Sequence, residues 1–182
     1  MSLKDHIFQK ENRIIKQSTS IRDSKVFDFN YIPEEPMMRE EVKPIVDAIL
    51  RYKYTNIPNN VLIYGPRGNG KTVLLQYLIN LCGEKYDLPM LYVNCRHFNT
   101  SYKILSEVLG KNPRGSSLNE LWVQFCQQHP GKTIFVLDEV DLISDKDNNM
   151  EILYRISRAP ENYMVILMSN NPRFLDQIDE SS

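Results

Sequence analysis

Gly65-Pro66-Arg67-Gly68-Asn69-Gly70-Lys71-Thr72 carries the spacing G-x-x-x-x-G-K followed by a hydroxyl residue, and the chemistry of that spacing is capture of a phosphate anion. Glycines allow the backbone to turn its N–H groups inward. A helix starting at the end of the loop adds the positive end of its dipole. Lys71 is expected to reach the outer phosphates of a nucleoside triphosphate, and the Thr72 hydroxyl to hold Mg²⁺. The expected nucleotide-binding residues are thus Pro66, Arg67, Gly68, Asn69, Gly70, Lys71, Thr72 and Val73. The simpler reading, a glycine-rich turn before a helix, is disfavoured by the flanks: an apolar run ends at Tyr64 and a helical stretch begins near Gly70.

Two further strand ends carry polar groups. Ile134-Phe135-Val136-Leu137 runs straight into Asp138-Glu139. In α/β sheets the C-terminal ends of strands line the ligand crevice. Asp138 is therefore expected to face the cation held by Thr72, and Glu139 to polarise an attacking water. The bland alternative is a buried strand with a solvated acidic end, and the phosphate loop weighs against it. Residues 164–168 end in Ser169-Asn170, whose amide is placed to contact the terminal phosphate or the water. A plain turn is the competing reading there, because Asn171-Pro172 follows. The expected catalytic set is Glu139, Lys71 and Asn170, and the expected metal ligands are Thr72 and Asp138.

The elements that must position these groups follow from apolar patterning. Val61–Tyr64 is short and wholly apolar, the mark of a central strand in a parallel sheet covered on both faces. The signature recurs at residues 90–95, 134–137 and 164–168. Between the runs, helical spacing covers residues 71–82, 101–109, 118–128 and 149–158. Residues 38–53 fit a further helix, and Pro44 suits a first turn, which moves the start toward it. Strands alternating with helices predict a three-layer α/β fold around a central parallel sheet.

Bulk properties exclude several classes. Across 182 residues the formal net charge is -1, so no overall basic excess points to nucleic acid. Only residues 1–30 form a basic arm, with Lys4, Lys10, Arg13, Lys16, Arg22 and Lys25. No apolar run approaches the ~20 residues that span a bilayer. Cys82, Cys95 and Cys126 are odd in number and widely spaced, which suits a reducing compartment and buried apolar filler. His6, His97 and His129 are scattered, so zinc is not an expected partner, and without a spanning apolar run neither is a membrane.

The glycine loop, the run from Ile134 to Ile143 and the strand-end Asn170 together resemble an AAA+ ATPase. More specific pieces resemble the archaeal origin-recognition and cell-division-cycle type replication initiators. These are Tyr31-Ile32-Pro33 followed by Arg39-Glu40-Glu41, then Tyr92-Val93-Asn94-Cys95-Arg96, the stretch from Thr100 to Leu105, Pro113-Arg114-Gly115, and the run from Leu153 to Arg158. The resemblance implies a P-loop domain over residues 31–182, with Tyr31, Ile32, Pro33 and Arg39 framing adenine and Asn170 as first sensor. Met38 stands where the family has a histidine.

Family members continue beyond the position of Ser182 with an arginine finger, a last core strand, a helical lid and a winged helix. The resemblance therefore implies a partial domain lacking the last strand and lid. Its first strand would lie at an open edge, with self-association, poor solubility or cover by the basic arm as consequences. Arg155 and Arg158 are the nearest arginine candidates for a finger, with surface or packing roles preferred for both. The implied function is an ATP- and ADP-binding, Mg²⁺-dependent switch in origin recognition and helicase loading, hydrolysing ATP weakly or not at all without a finger from a partner. Implied partners are other initiator subunits or the replicative helicase. Origin DNA is a weaker one, through Lys103, Lys111 and Arg114 near residues 98–117. The implied location is cytoplasmic, at the nucleoid in an archaeon or in the nucleus of a eukaryote. The alternative is a non-hydrolysing, shortened paralogue or interaction module that regulates full-length initiators.

Overall fold

Two hydrophobic clusters divide this fold into layers, and the alternation of side chains along the central strands assigns them. The computed structural model describes residues 40–110, 115–144, 147, 150–159 and 162–174. Expectations on the arm at residues 1–30, on Tyr31, Ile32, Pro33, Met38 and Arg39, and on Lys111, Pro113 and Arg114 lie outside the described residues.

The sheet holds β1 (Val61–Tyr64), β2 (Met90–Asn94), β3 (Thr133–Asp138) and β4 (Tyr163–Ser169). All pairs are parallel, in the spatial order β1-β4-β3-β2. β3 and β4 are central and buried at every position. Phe135, Leu137, Val165 and Leu167 point to one face, into a cluster with Ile104, Leu105, Leu121, Phe125, Ile152 and Ile156. Ile134, Val136, Met164, Ile166 and Met168 point to the other, onto Ile45, Ile49, Tyr52, Leu75 and Leu78. Helices α1 (Lys43–Thr55) and α2 (Lys71–Tyr86) thus cover one face; α3 (Ser101–Val108), α4 (Leu118–Gln128) and α5 (Glu151–Ser157) cover the other. The expected three-layer α/β architecture is present. No helix among the described residues is long and apolar enough to cross a membrane.

The structure revises some elements. Composition marks β1 as central, whereas the family resemblance puts it at an open edge; among the described residues it is an edge strand, partly exposed along its length, with Tyr64 63% exposed. Its apolarity reflects two covered faces, not two paired edges: Leu62 packs toward one cluster and Val61 and Ile63 toward the other. The helix expected over residues 38–53 is a 3-10 turn at Glu40–Val42 followed by α1, with Pro44 in its first turn. α1 ends at Asn56, whose left-handed backbone (φ 58°) lets its amide bond to the Tyr52 carbonyl at 3.2 Å. α5 is shorter than the expected 149–158, because Met150 takes a left-handed conformation (φ 55°) just before it.

The helix starts differ in their caps. Thr100 caps α3 by accepting from the Lys103 amide. Ser117 and Glu120 form a reciprocal capping box on α4. α2 begins at Gly70, which has no side chain to cap with. The first amides of a helix lack intrahelical partners, so those of α2 are left to face whatever enters the loop.

Candidate nucleotide site

Lys71, Thr72, Asp138, Glu139 and Asn170 converge at the C-terminal edge of the sheet. A cavity of about 420 Å³ is lined by Arg67, Gly68, Asn69, Gly70, Lys71, Thr72, Val73, Asn94, Asp138, Glu139 and Asn170. The loop after β1 contributes most of the wall, and the ends of β2, β3 and β4 supply the rest. Gly68 (φ 85°) and Gly70 (φ 73°) hold left-handed backbone that a side chain would strain. The Gly65 amide donates to the Ser169 carbonyl at 3.3 Å, fastening the loop to β4.

The Lys71 ammonium donates to the carbonyls of Gly65 (2.8 Å) and Pro66 (2.9 Å) and to Asn170 Oδ1 (3.1 Å). It is folded against the loop and tied to the tip of β4, so three separate segments meet at one cation. Across the cavity Asp138 is 5% exposed and accepts two hydrogen bonds on Oδ2, from Thr72 Oγ1 (3.0 Å) and from the Tyr92 hydroxyl (2.8 Å). A carboxylate and a hydroxyl oxygen in contact are hard ligands of the kind Mg²⁺ takes. Uncapped amides, a lysine and this oxygen pair suit a polyphosphate with a divalent cation.

Glu139 follows β3 in a left-handed conformation (φ 52°), unusual for a residue with a side chain. Neighbours on a strand point to opposite faces; this turn instead brings Glu139 into the same cavity as Asp138. Its carboxylate is held by Arg96, Nε to Oε2 at 2.6 Å and Nη2 to Oε1 at 2.9 Å, with Asn170 Nδ2 3.4 Å from Oε1. The Arg96 hydrogen bond is the chief reason its pKa lies below the ordinary range; burial opposes it, and the charge of Arg67 assists. A lowered pKa means that this ion pair stabilises the fold at neutral pH and loses its contribution as pH falls through the folded value.

The structure also supplies partners that the sequence reading passed over. Tyr92 supports Asp138, and its own pKa is driven upward by burial first and by that carboxylate second. Asn94 Oδ1 accepts from the Arg96 amide at 2.9 Å, shaping the turn that delivers Arg96. Asp141 Oδ1 accepts from Ser169 Oγ (2.8 Å) and from the Asn170 amide (3.0 Å), joining the ends of β3 and β4. The rule that strand ends line the crevice points to Tyr92, Asn94 and Arg96, once residues 90–95 are read as a strand. No local pattern points to Asp141.

Arg155 and Arg158 do take packing and surface positions. Arg155 pairs with Glu151 at 2.8 Å, and Arg158 lies over the Tyr154 ring at 5.0 Å. The arginines that face Glu139 are Arg96 and Arg67. Of the residues weighed for DNA, Lys103 bonds to Asn99 Oδ1 at 2.8 Å on α3, a helix that buries Ile104 and Leu105 in the core.

A parallel sheet in this order, a glycine loop after β1 and an acidic pair at the end of β3 define a phosphate-loop α/β domain of AAA+ type. The family model described as an AAA domain matches residues 57–178, and the chain belongs to that family. Within it, the chain is similar to the ORC1-type DNA replication protein 1 of Sulfurisphaera tokodaii, 31% identical over 91% of this chain and 45% of the relative. In fold it is similar to the Orc1 protein of Aeropyrum pernix in complex with DNA (TM-score 0.73, 24% identity, 88% of this chain and 46% of that one). The ORC2 protein of Aeropyrum pernix, in ADPNP–ADP complexes, is a further fold neighbour (TM-score 0.68, 24% identity, 87% and 48%). The chain spans about half the length of the curated relatives it matches.

Proposed function

We propose that this chain is the ATP-binding domain of a DNA replication initiator of the ORC1 type, in which ATP with Mg²⁺ sets the conformation of the strand-end loops. The observation that carries the reading is the meeting of Lys71, Thr72, Asp138, Glu139 and Asn170 around one cavity. Similarity to an ORC1-type replication protein supports the biological context, and a fold neighbour described in ADPNP–ADP complexes supports the choice of ligand.

In this reading the amides of Gly68 to Val73 and the Lys71 ammonium hold the phosphates. Thr72 and Asp138 hold the cation, which when bound offsets phosphate charge. Asn170 gives up Lys71 and orients its amide toward the terminal phosphate. Glu139 would orient water from a carboxylate that Arg96 already grips on both oxygens, which lowers its basicity while Arg96 stays bound. Binding is tested by calorimetric titration of the chain with ATP and Mg²⁺; absence of heat at millimolar nucleotide sinks the proposal.

The engaged Glu139 also favours a second reading, a domain that binds ATP without turning it over and acts through its partners. Two substitutions separate the readings. Glu139→Gln is expected to keep ATP affinity and lower turnover by about 10²–10⁴, the usual worth of a positioned general base. Arg96→Ala, which frees the carboxylate, is expected to raise turnover several-fold at unchanged affinity. Phosphate release is measured with and without a full-length ORC1-type protein to supply a finger. Turnover indifferent to both substitutions supports the non-hydrolysing module.

A further inference from the structure

Arg67 occupies one of the variable positions of the phosphate loop, so the loop fold does not require it. Its side chain is 69% exposed, and its Nη2 lies 3.8 Å from Glu139 Oε1. The same carboxylate is already gripped by Arg96 through two short hydrogen bonds, at 2.6 and 2.9 Å. One carboxylate carries one negative charge, so two guanidinium groups cannot both be neutralised by it. Arg96 has the fitted geometry, and Arg67 is left with a long contact. The cavity wall itself carries Arg67 and Lys71 against Asp138 and Glu139, and of the two arginines Arg96 is the one that engages Glu139 closely.

The position of this loosely held cation gives it meaning. In phosphoryl-transfer sites the acid that orients water stands beside the terminal phosphate. A group in contact range of Glu139 is therefore at the terminal-phosphate end of the cavity, where Lys71, bonded to Asn170, also reaches, while the helix amides serve the inner part of the chain of phosphates. Guanidinium presents a planar fork matched to phosphate oxygens. We infer that Arg67 is a specificity-determining residue, held near Glu139 until a nucleoside triphosphate arrives and then bonded to its terminal phosphate, so that the site favours triphosphate over diphosphate. This rests on the nucleotide-site reading above. It also ties ligand to acid: when Arg67 turns to the phosphate, Glu139 loses one of its two cations.

The test is calorimetry with ATP and with ADP, each with Mg²⁺, on the unaltered chain and on Arg67→Ala, Arg67→Gln and Arg67→Lys. Arg67→Ala and Arg67→Gln are expected to weaken ATP binding by roughly tenfold or more, the worth of a charge-assisted hydrogen bond, and to leave ADP binding unchanged. Arg67→Lys, keeping the charge without the fork, is expected to fall between. Equal losses for ATP and ADP make Arg67 a general electrostatic contributor and overturn the inference, as does no loss for either. An unaltered chain that binds neither nucleotide overturns the nucleotide-site reading itself. Circular dichroism of each variant checks the fold; at an exposed position no change is expected.

Discussion

Replacing Lys71 with alanine is expected to lower ATP affinity by at least about a hundredfold, since charge-assisted hydrogen bonds contribute roughly 1.5–3 kcal/mol each and tenfold in affinity is about 1.4 kcal/mol. The ammonium is the point where the loop, α2 and the tip of β4 meet. It donates to Gly65, Pro66 and Asn170. Those are neutral acceptors, so exchanging them for anionic phosphate oxygens is a gain in electrostatic energy. Alanine removes the charge and also leaves the Asn170 oxygen without that donor, so the Asn170 amide loses its anchor as well. The secondary structure should be retained, because the lysine lies at the rim of the sheet and not in either cluster. Calorimetry on both proteins decides the matter: equal ATP affinity in the two would falsify the assignment of the loop.

The second large effect is on stability. Phe135→Ala removes a fully buried ring from the middle of β3. That ring lies 4.9 Å from Phe125 and 6.1 Å from Tyr163, centroid to centroid, in the cluster beneath α3, α4 and α5. A Phe-to-Ala change in a close-packed core costs about 3–5 kcal/mol, against a total of about 5–15 kcal/mol for a domain. The protein should therefore lose a large share of its stability while keeping its cavity, since Phe135 and the site lie on different parts of β3. The single tryptophan, Trp122, stacks on Phe125 at 5.5 Å, so its fluorescence reports the change during urea unfolding. A loss under about 1 kcal/mol at an unchanged m-value would show that the core tolerates the void.

Legibility from sequence followed distance along the chain. β1 was read at its observed bounds, and β3 and β4 were read one residue short at each end, where Thr133, Asp138, Tyr163 and Ser169 continue the ladder despite polar or amphipathic side chains. α2 was expected to end near residue 82, just before Gly83. It runs to Tyr86, because Tyr86 packs on the cluster that also holds Cys82 and Leu88, which offsets the ~1 kcal/mol cost of a mid-helix glycine. The glycine loop and the acidic pair are legible as segments because each is written in consecutive residues, and the structure brings them to one cavity. The grip of Arg96 on Glu139 is not legible in that way. It depends on the β2–β3 register that sets Asn94 level with Asp138, and on the left-handed turn at Glu139. Asp141 reaches Ser169 and Asn170 only through the 3-10 turn at Val140–Leu142.

The strand order has a kinetic corollary. Among the described residues β1 hydrogen-bonds to β4 alone, although β4 is made about a hundred residues later. Such a closure spends chain entropy before it returns contacts, and high contact order slows folding. On an emerging polypeptide, the phosphate loop waits beside an unformed sheet until residues 163–169 arrive to seat it. Seating of this loop consequently waits for β4 during synthesis, and a nucleotide bound there, as proposed, would clasp β1 and β4 once they have paired instead of seeding their pairing.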